Sequence, residues 1–514
     1  MLGRCLKANA DWKHCRLFSS MKSLLLQLPG SCKLFTRSNS IYPPLGLCQL
    51  AATVSSQDCI VIDAEALDYT FEKTVRTVED RNPVLVGFSV TTMTMHLVES
   101  YAAAIRIALP NTLILVGGPQ ATAAPDTVLA ECPSVDLLFR GEGEESFPRV
   151  INTLSTNNSR SENLRLLSAL PGVVNRSTKY PKQVEIQRVK AERFVMEPVI
   201  PFPLLSDMPL SKYWCPDALR RPMVTFMTAR GCPFKCAFCA TPQIIGNEVR
   251  GWEPIRVVEE LERLVTKGVR EVSFVDDLFT AKPARVRELC ELMISRKVDL
   301  TWFANSRADR VNAALCQLMR QAGCHQIFLG VESGSNKMLK YMRKGENVDM
   351  MIRGAEYLHA AGIKISAGFI IGLPGENDDT VMETITLAKK IRPNRIQFSR
   401  WTPLAGSALV EHASEFALDP RSAPALANKL SDNRQSMDGG TIAGAQGFHS
   451  QQFRVAVEHT SSSPTDTKLA SPATAPTEIA KEKELDRVDL WIAMCYTECN
   501  AKRTGETDWG MPSI

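Results

Sequence analysis

The sequence lacks a strong excess of either charge, since its formal net charge is only +4 over 514 residues. Such a balance does not favour nucleic acid or an anionic membrane as the partner. No apolar run approaches the ~18 residues that a membrane-spanning helix needs. The fifteen cysteines do not have the spacing of a secreted disulfide framework. With 44% hydrophobic and 23% charged residues, the chain has the composition of globular domains with buried cores.

Three closely spaced cysteines form the most informative motif. Cys232, Cys236 and Cys239 stand in TARGCPFKCAFCA with the spacing CxxxCxxC. Three such thiolates can hold three irons of a four-iron, four-sulfur cluster and leave the fourth iron open to a ligand, which suits catalysis. Buried thiols or a zinc site are the alternatives. Zinc usually needs a fourth Cys or His nearby, and none lies between Ala240 and Arg270.

With the aromatic Phe238 before its last cysteine, the motif resembles the signature of the radical S-adenosylmethionine (radical SAM) superfamily. The resemblance implies a 4Fe-4S cluster on the three cysteines, with S-adenosylmethionine (SAM) at the open iron and Phe238 beside it. Reduction would cleave SAM to a 5′-deoxyadenosyl radical. A reductant such as flavodoxin or ferredoxin and a reducing compartment, the cytoplasm, are expected with this chemistry.

Strand and helix patterns alternate in two regions and predict an α/β protein. Continuous apolar runs are typical of parallel strands buried on both faces. In the first region, 21–175, they predict a Rossmann-like domain with strands at Leu24–Leu28, Cys59–Ile62, Val84–Phe88 and Leu113–Val116. In the second, 221–415, six runs suit the partial (β/α)6 barrel of radical SAM enzymes, at Met223–Met227, Val272–Val275, Leu300–Ala304, Gln326–Val331, Ile365–Ile371 and Arg395–Phe398.

Three further segments complete the predicted domain organisation. Residues 1–20 are an N-terminal extension, with a weak organelle-targeting presequence as the alternative. Residues 176–220 are polar and proline-rich and are interpreted as a linker. Residues 416–514 are a largely disordered low-complexity tail with a short helix predicted at Ile479–Met494. The i, i+4 spacing of Cys495 and Cys499 could bind a metal, but two thiols are an incomplete set of ligands, so an unstructured tail is expected there.

Small polar or glycine-rich turns follow the strands of the first region, where ligands of such sheets bind. In order, these segments resemble the cobalamin-binding domain that precedes many radical SAM cores. The resemblance implies cobalamin contacts from Ser89, Thr91, Thr92, Gly117, Gly118, Gly141, Glu142, Gly143 and Glu144. The Asp-x-His-x-x-Gly motif that supplies a histidine ligand to cobalt in the methionine synthase type is absent. A Rossmann-like domain without a cofactor is the alternative.

The ends of the barrel strands carry the residues that the resemblance assigns to SAM. It implies that two carboxylates hold the SAM amino group, that a Ser-Arg pair holds its carboxylate, that a Glu-Ser pair faces the ribose, and that a GxIxG motif lies near adenine. Asp276 and Asp277 are the two carboxylates, and Ser306 and Arg307 are the Ser-Arg pair. Glu332 and Ser333 are the Glu-Ser pair, and Gly368, Ile370 and Gly372 form the GxIxG motif. The alternatives are a helix N-cap for either aspartate and a solvated Arg307. Glu376 falls one residue later than the motif requires.

Taken together, the two resemblances predict cobalamin-dependent methyl transfer to an unactivated carbon of a small-molecule substrate. One alternative keeps the cofactors and changes the reaction, namely the oxidative cyclase of anaerobic bacteriochlorophyll synthesis. Another is a protein that binds cobalamin or SAM without turnover. Methylthiolation of tRNA is disfavoured, because those enzymes resemble the core but carry further cluster cysteines and a basic RNA-binding domain.

Overall fold

The structure is a computed structural model that describes residues 22–29, 40–92, 94–195, 199–416, 451–452 and 487–500. Predictions for residues 1–20 and for most of the 416–486 interval lie outside the described residues. Two mostly parallel sheets, each packed against helices, form the two folded units. This α/β architecture confirms the predicted fold class.

The first unit is a six-stranded sheet in the order β2-β1-β3-β4-β5-β6. Strands β1 to β5 run parallel and β6 is antiparallel to β5. The strands are β1 Ser23–Gln27, β2 Cys59–Asp63, β3 Leu85–Ser89, β4 Leu113–Gly117, β5 Leu137–Phe139 and β6 Val173–Asn175. The helices are α1 Leu45–Ala51, α2 Phe71–Arg81, α3 Met95–Ala108, α4 Pro119–Ala123, α5 Pro125–Glu131, α6 Phe147–Thr153 and α7 Arg160–Leu167.

The register of this sheet explains its burial on both faces. Leu24 of β1 is aligned with Ile60 of β2 and with Val86 of β3, so that apolar side chains stack across the strands. Side chains of one face pack under α2, α3 and α5, and those of the other face pack under α1, α6 and α7. Because both faces are covered, the strands are continuous apolar runs.

The second unit is a curved sheet in the order β15-β14-β13-β12-β11-β10-β7. Its strands are β7 Met223–Phe226, β10 Glu271–Phe274, β11 Thr301–Ser306, β12 Cys324–Glu332, β13 Lys364–Ile371, β14 Arg395–Arg400 and β15 Gln451–Gln452, and all but β15 run parallel. Its helices are α8 Thr241–Ile244, α9 Pro254–Thr266, α10 Pro283–Ser295, α11 Ala313–Gln321, α12 Asn336–Tyr341, α13 Val348–Ala360, α14 Asp378–Ile391, α15 Ala408–Glu411 and α16 Arg487–Asn500. A short ribbon pairs β8 Ala229–Arg230 with β9 Arg250–Gly251.

The segment predicted as a linker packs closely against the barrel. Phe194, Ile200 and Leu205 are buried in the barrel core. Phe202 stacks on Trp252 with ring centroids 4.6 Å apart, and the Trp252 indole donates a 2.7 Å hydrogen bond to the carbonyl of Ile200. The prolines of this segment interrupt regular structure, but the apolar residues between them are buried, so the two units form a continuous structure.

Helix α16 differs from its prediction. Its described part runs from Arg487 to Asn500 and includes both cysteines, whereas the predicted residues 479–486 lie outside the described residues. Trp491, Ile492, Cys495 and Cys499 are buried, and the helix lies against α14 and β14. The expectation of an unstructured tail at the two cysteines was therefore wrong, because these residues recur on one helical face. Among the described helices, none is both long and apolar enough to cross a membrane.

Candidate functional site

The three cysteines of the motif lie in a tight loop between β8 and α8. Gly231 opens the loop with φ +93°, and a Cβ atom there would come within 2.0 Å of the Glu248 carbonyl oxygen. Only glycine fits this position, because a side chain would be strained and would collide with backbone. All three thiols are free and partly exposed.

The surroundings of the three thiols favour their protonated form. Burial raises the pKa of the Cys239 thiol to about 12, and burial likewise raises the pKa of Cys232 and of Cys236. The free thiols therefore hold their protons, whereas a bound metal ion deprotonates a coordinating thiol outright. Three soft sulfur donors in one loop fit the three irons of a 4Fe-4S cluster.

Cationic side chains lie beside Cys236. Arg307 extends its Nη1 to 3.9 Å from the Cys236 Sγ and donates a 2.7 Å hydrogen bond to the Lys344 carbonyl. The Arg307 guanidinium also lies 3.7 Å above the ring of Phe234, which belongs to the cysteine loop. With 5% of its surface exposed, Arg307 is not the solvated arginine of the alternative interpretation.

Arg307, Glu332, Lys344 and Glu346 form a buried charge cluster next to the cysteine loop. The Lys344 Nζ lies 3.4 Å from Glu332 Oε1 and 3.4 Å from Glu346 Oε2. The Arg307 Nη2 lies 3.5 Å from the same Glu346 oxygen. Burial raises the pKa of Glu332, and the neighbouring Lys344 opposes that rise. Glu332 adopts φ +68°, a strained conformation that is characteristic of functional positions.

Lys344 and Glu346 are two site residues that the sequence did not predict. They stand in the run Arg343-Lys344-Gly345-Glu346, and such a charge run usually belongs to a solvated surface. The available signal was the buried carboxylate of Glu332, because a charge at a barrel-strand end needs a cationic partner.

The two aspartates after β10 face different groups. Both carboxylate oxygens of Asp276 accept hydrogen bonds from Thr228. Oδ1 accepts a 2.6 Å hydrogen bond from the Thr228 amide, and Oδ2 accepts a 2.5 Å hydrogen bond from the Thr228 hydroxyl. Asp277 Oδ2 accepts a 2.7 Å hydrogen bond from the Gly231 amide at the start of the cysteine loop. Burial raises the pKa of Asp277 to about 6. The short helix that follows is capped at Leu278, so neither aspartate is an N-cap.

The two serines predicted at strand ends lie in buried hydroxyl networks. Ser306 shares a 2.6 Å hydrogen bond with Thr280 and also contacts the Arg307 carbonyl. Ser333 lies 3.2 Å from the Thr384 hydroxyl of α14. These contacts hold barrel elements together.

The GxIxG segment ends β13. Gly368 packs under Phe328, whose ring would lie 2.6 Å from a Cβ atom at that position, and Ile370 is buried. Gly372 has φ +89° and lies under Val488 of α16. Glu376 folds back so that its Oε2 accepts hydrogen bonds from the amides of Gly372 and Leu373. Burial raises the pKa of Glu376 to about 7.

Two predicted turns of the first unit lie side by side at the carboxyl edge of its sheet. Gly118 has φ +98°, and a Cβ atom there would lie 2.8 Å from the Ser89 Oγ. Thr92 donates a 2.7 Å hydrogen bond to the Gln120 side chain across the same turns. Polar, partly exposed groups therefore line this edge at Ser89, Thr91, Thr92, Gly117 and Gly118, a set that fits a large polar ligand.

The third turn, Gly141 to Glu144, faces the barrel unit instead. Glu142 pairs with Arg250 at 2.7 and 2.9 Å, and Glu144 pairs with Arg230. The space beside the two glycines of this turn is filled by the chain itself, since a Cβ atom at Gly141 would strike Gln187 and one at Gly143 would strike Leu50. The carboxylates of both glutamates are occupied by arginines, and the assignment of these four residues to cobalamin stays a prediction.

Comparisons with known proteins agree with this arrangement. Residues 226–388 match the model of the radical SAM superfamily, and residues 32–151 match that of the B12 binding domain. An uncharacterized methyltransferase of Pyrococcus horikoshii is 32% identical over 395 residues, which are 76% of this chain and 83% of the relative. The anaerobic magnesium-protoporphyrin IX monomethyl ester cyclase of Rubrivivax gelatinosus is 25% identical over 387 residues, or 73% of this chain and 67% of the relative.

A solved structure shares the fold. The radical S-adenosylmethionine methyltransferase TsrM of Kitasatospora setae superposes with a TM-score of 0.62 at 15% identity, covering 77% of this chain and 76% of TsrM. The order of the two domains and the cysteine loop agree with the family matches. The chain is thus an enzyme that belongs to the radical SAM superfamily and carries a B12-binding domain, with a 4Fe-4S cluster, SAM and cobalamin as its cofactors.

Proposed function

We propose that this enzyme is a cobalamin-dependent methyltransferase that methylates an unactivated carbon of a small molecule. The observation that carries the proposal is the contact between the cysteine loop and the B12-binding domain. Arg230 immediately precedes that loop and is buried against Glu142 and Glu144, which follow β5 of the sheet. A cluster site beside the ligand edge of the other domain suits a reaction that uses both cofactors at one place.

The chain's own residues would bind and orient the cofactors. We assign the three cysteines to the cluster and Asp277 to the SAM amino group, because Asp276 already accepts two hydrogen bonds from Thr228. Arg307, whose Nε and Nη2 are held by Asp309, lies beside Cys236 as a planar cation of the kind that binds a carboxylate such as that of SAM. The cations next to Cys236 also favour its thiolate form, since opposite charges stabilise an anion.

The cofactors carry the difficult chemistry when bound: the cluster supplies an electron to cleave SAM, and cobalamin supplies a methyl group. The barrel contributes orientation and a buried interior that limits access of water. An external reductant of the flavodoxin or ferredoxin type and a cytoplasmic location fit this chemistry. All twelve cysteines that the structure describes are free thiols, which is typical of proteins in reducing compartments.

Labelled methyl groups provide the test. The protein, purified anaerobically with cobalamin and with its cluster reconstituted, is incubated with a reductant, methyl-deuterated SAM and the small-molecule fraction of a cell extract. We expect a small molecule that gains the labelled methyl group, together with S-adenosylhomocysteine and 5′-deoxyadenosine. The Cys236→Ala variant, which lacks a cluster ligand, is the control and should form none of the three.

Two other results would count against methyl transfer. Formation of 5′-deoxyadenosine without any labelled product would favour an oxidative reaction, as the similarity to the cyclase allows. The absence of 5′-deoxyadenosine from a protein with an intact cluster would favour binding without turnover.

A further inference from the structure

Four charged side chains join the two domains at one buried point. Arg230 and Arg250 face each other across the β8–β9 ribbon of the barrel unit, and Glu142 and Glu144 extend from the turn after β5. The side chains of these four residues are between 3% and 10% exposed. We call this set the interdomain charge cluster.

The contacts of this cluster are dense and directional. The Glu142 carboxylate accepts hydrogen bonds of 2.9 and 2.7 Å from the two Nη atoms of Arg250, and one of 2.6 Å from the Val189 amide. Arg230 reaches both carboxylates: its Nη1 lies 3.4 Å from Glu142, and its Nη2 donates to Glu144. Two cations and two anions balance, so the group can be buried without a net charge.

Arg230 differs from the other three residues of the interdomain charge cluster because it directly precedes the cysteine loop in the chain. The next residue, Gly231, donates its amide hydrogen to Asp277, and the one after that is Cys232 of the cysteine loop. The first cluster ligand is thus two residues from a side chain that is fixed by the other domain. Movement of the turn after β5 would be transmitted to the cysteine loop through a single stretch of backbone.

We propose that Arg230 is a positioning residue that sets the distance and orientation of the iron–sulfur cluster relative to the cobalamin edge of the first domain. Its forked guanidinium holds two carboxylates of the turn at once, which a point charge on a flexible stem cannot do. This role rests on the cofactor content of the family and is independent of which reaction follows.

A magnetic measurement tests this role without a substrate. The reduced cluster and cob(II)alamin each carry an unpaired electron, so pulsed electron paramagnetic resonance reports the distance between them. We expect one narrow distance in the wild type. In Arg230→Gln the peak should broaden and shift by on the order of 1 Å, a displacement that is large for positioned chemistry. Arg230→Lys should fall between the two.

A matched control uses a more exposed ion pair of the same kind. Arg193 lies 3.1 Å from Glu145, with 29% and 39% of the two side chains exposed. Arg193→Gln also removes an arginine–glutamate contact, but from a solvated position, and should leave the distance unchanged. An Arg230→Gln protein with full cofactor content and the wild-type distance distribution would overturn the proposal.

If Arg230 served only to fold the cysteine loop, its variants would lose the cluster and would not show a changed distance. If Arg230→Gln loses its cluster, Glu144→Gln provides the second variant, since it keeps the shape of the side chain and removes one charge. We expect Glu144→Gln to retain iron and cobalamin and to broaden the distance. If both variants fail to hold the cluster, Arg230 is required for folding of the loop and the positioning role is refuted. Failure of methyl transfer alone would leave the distance result intact.

Discussion

Removal of Lys344 should destabilise the protein strongly, and more so at high pH. The Lys344 Nζ lies 3.4 Å from both Glu332 and Glu346, and the residue is 4% exposed. In Lys344→Met, Glu346 keeps Arg307 as a partner, whereas the Glu332 carboxylate loses its lysine. Removing one member of a buried ion pair typically costs about 3–5 kcal/mol, because the remaining charge is left without compensation.

The pH dependence follows from the pKa of Glu332. Burial raises this pKa and Lys344 lowers it, so the substitution raises it further. A group whose pKa is higher in the folded state contributes stability below its unfolded pKa and loses it as pH rises through the folded value. The deficit of Lys344→Met relative to the wild type should therefore be larger at pH 8.5 than at pH 5.5, since a lower pH favours the protonated, uncharged form of Glu332.

Thermal unfolding of the metal-free protein, followed by circular dichroism at both pH values, measures the effect. A loss of this size lowers the midpoint by on the order of 10 °C. Lys340→Met is the control, since Lys340 is exposed on α12 and should change stability by less than about 0.5 kcal/mol. Adding Glu332→Gln to Lys344→Met should recover part of the loss, because it removes the unpaired charge. A deficit that is independent of pH, or that the second substitution deepens, would refute the reasoning.

Three further predictions concern other parts of the molecule. Replacing Cys232, Cys236 or Cys239 singly by Ala should abolish cluster binding and SAM cleavage, as iron analysis and 5′-deoxyadenosine formation would reveal; retained iron with full activity would contradict the assignment. Glu376→Gln should be more stable than the wild type at pH 8.5, and this advantage should shrink as the pH falls and vanish below pH 4.5, since burial raises the pKa of Glu376 from 4.5 to about 7 and glutamine mimics the protonated acid. Trp491→Ala should cost about 3 kcal/mol in chemical denaturation, because it removes a buried ring from α16; an unchanged midpoint would mean that this helix does not contribute to stability.

The strands were the part of the fold that the sequence predicted best. Buried parallel strands need long apolar runs, and the run Leu24–Leu28 lies within one residue of the observed Ser23–Gln27. The cysteine loop was equally accessible, because its spacing is local. Helix α16 was predicted to end at Met494, but its described part continues to Asn500, because Cys495 and Cys499 belong to the same buried face as Trp491 and Ile492.

The partners of charged residues could not be predicted in the same way. Glu142 and Glu144 follow a strand, where a ligand contact is expected, but Arg230 is 86 residues from Glu144 and Arg250 is 108 residues from Glu142 in the chain. No periodic pattern connects such residues, and a carboxylate has the same sequence signal whether it faces an arginine or a cofactor. Long-range pairing therefore had to come from the structure.

The interdomain charge cluster also has a consequence for ionic strength. Dissolved ions screen solvated charges over about 8–10 Å at physiological concentrations, but they screen buried pairs much less. High salt should therefore weaken exposed pairs such as Arg220–Asp299 while the contacts of Arg230 persist. The relative placement of the two domains should be insensitive to salt, so that any salt dependence of turnover reports on encounter with the reductant or the substrate.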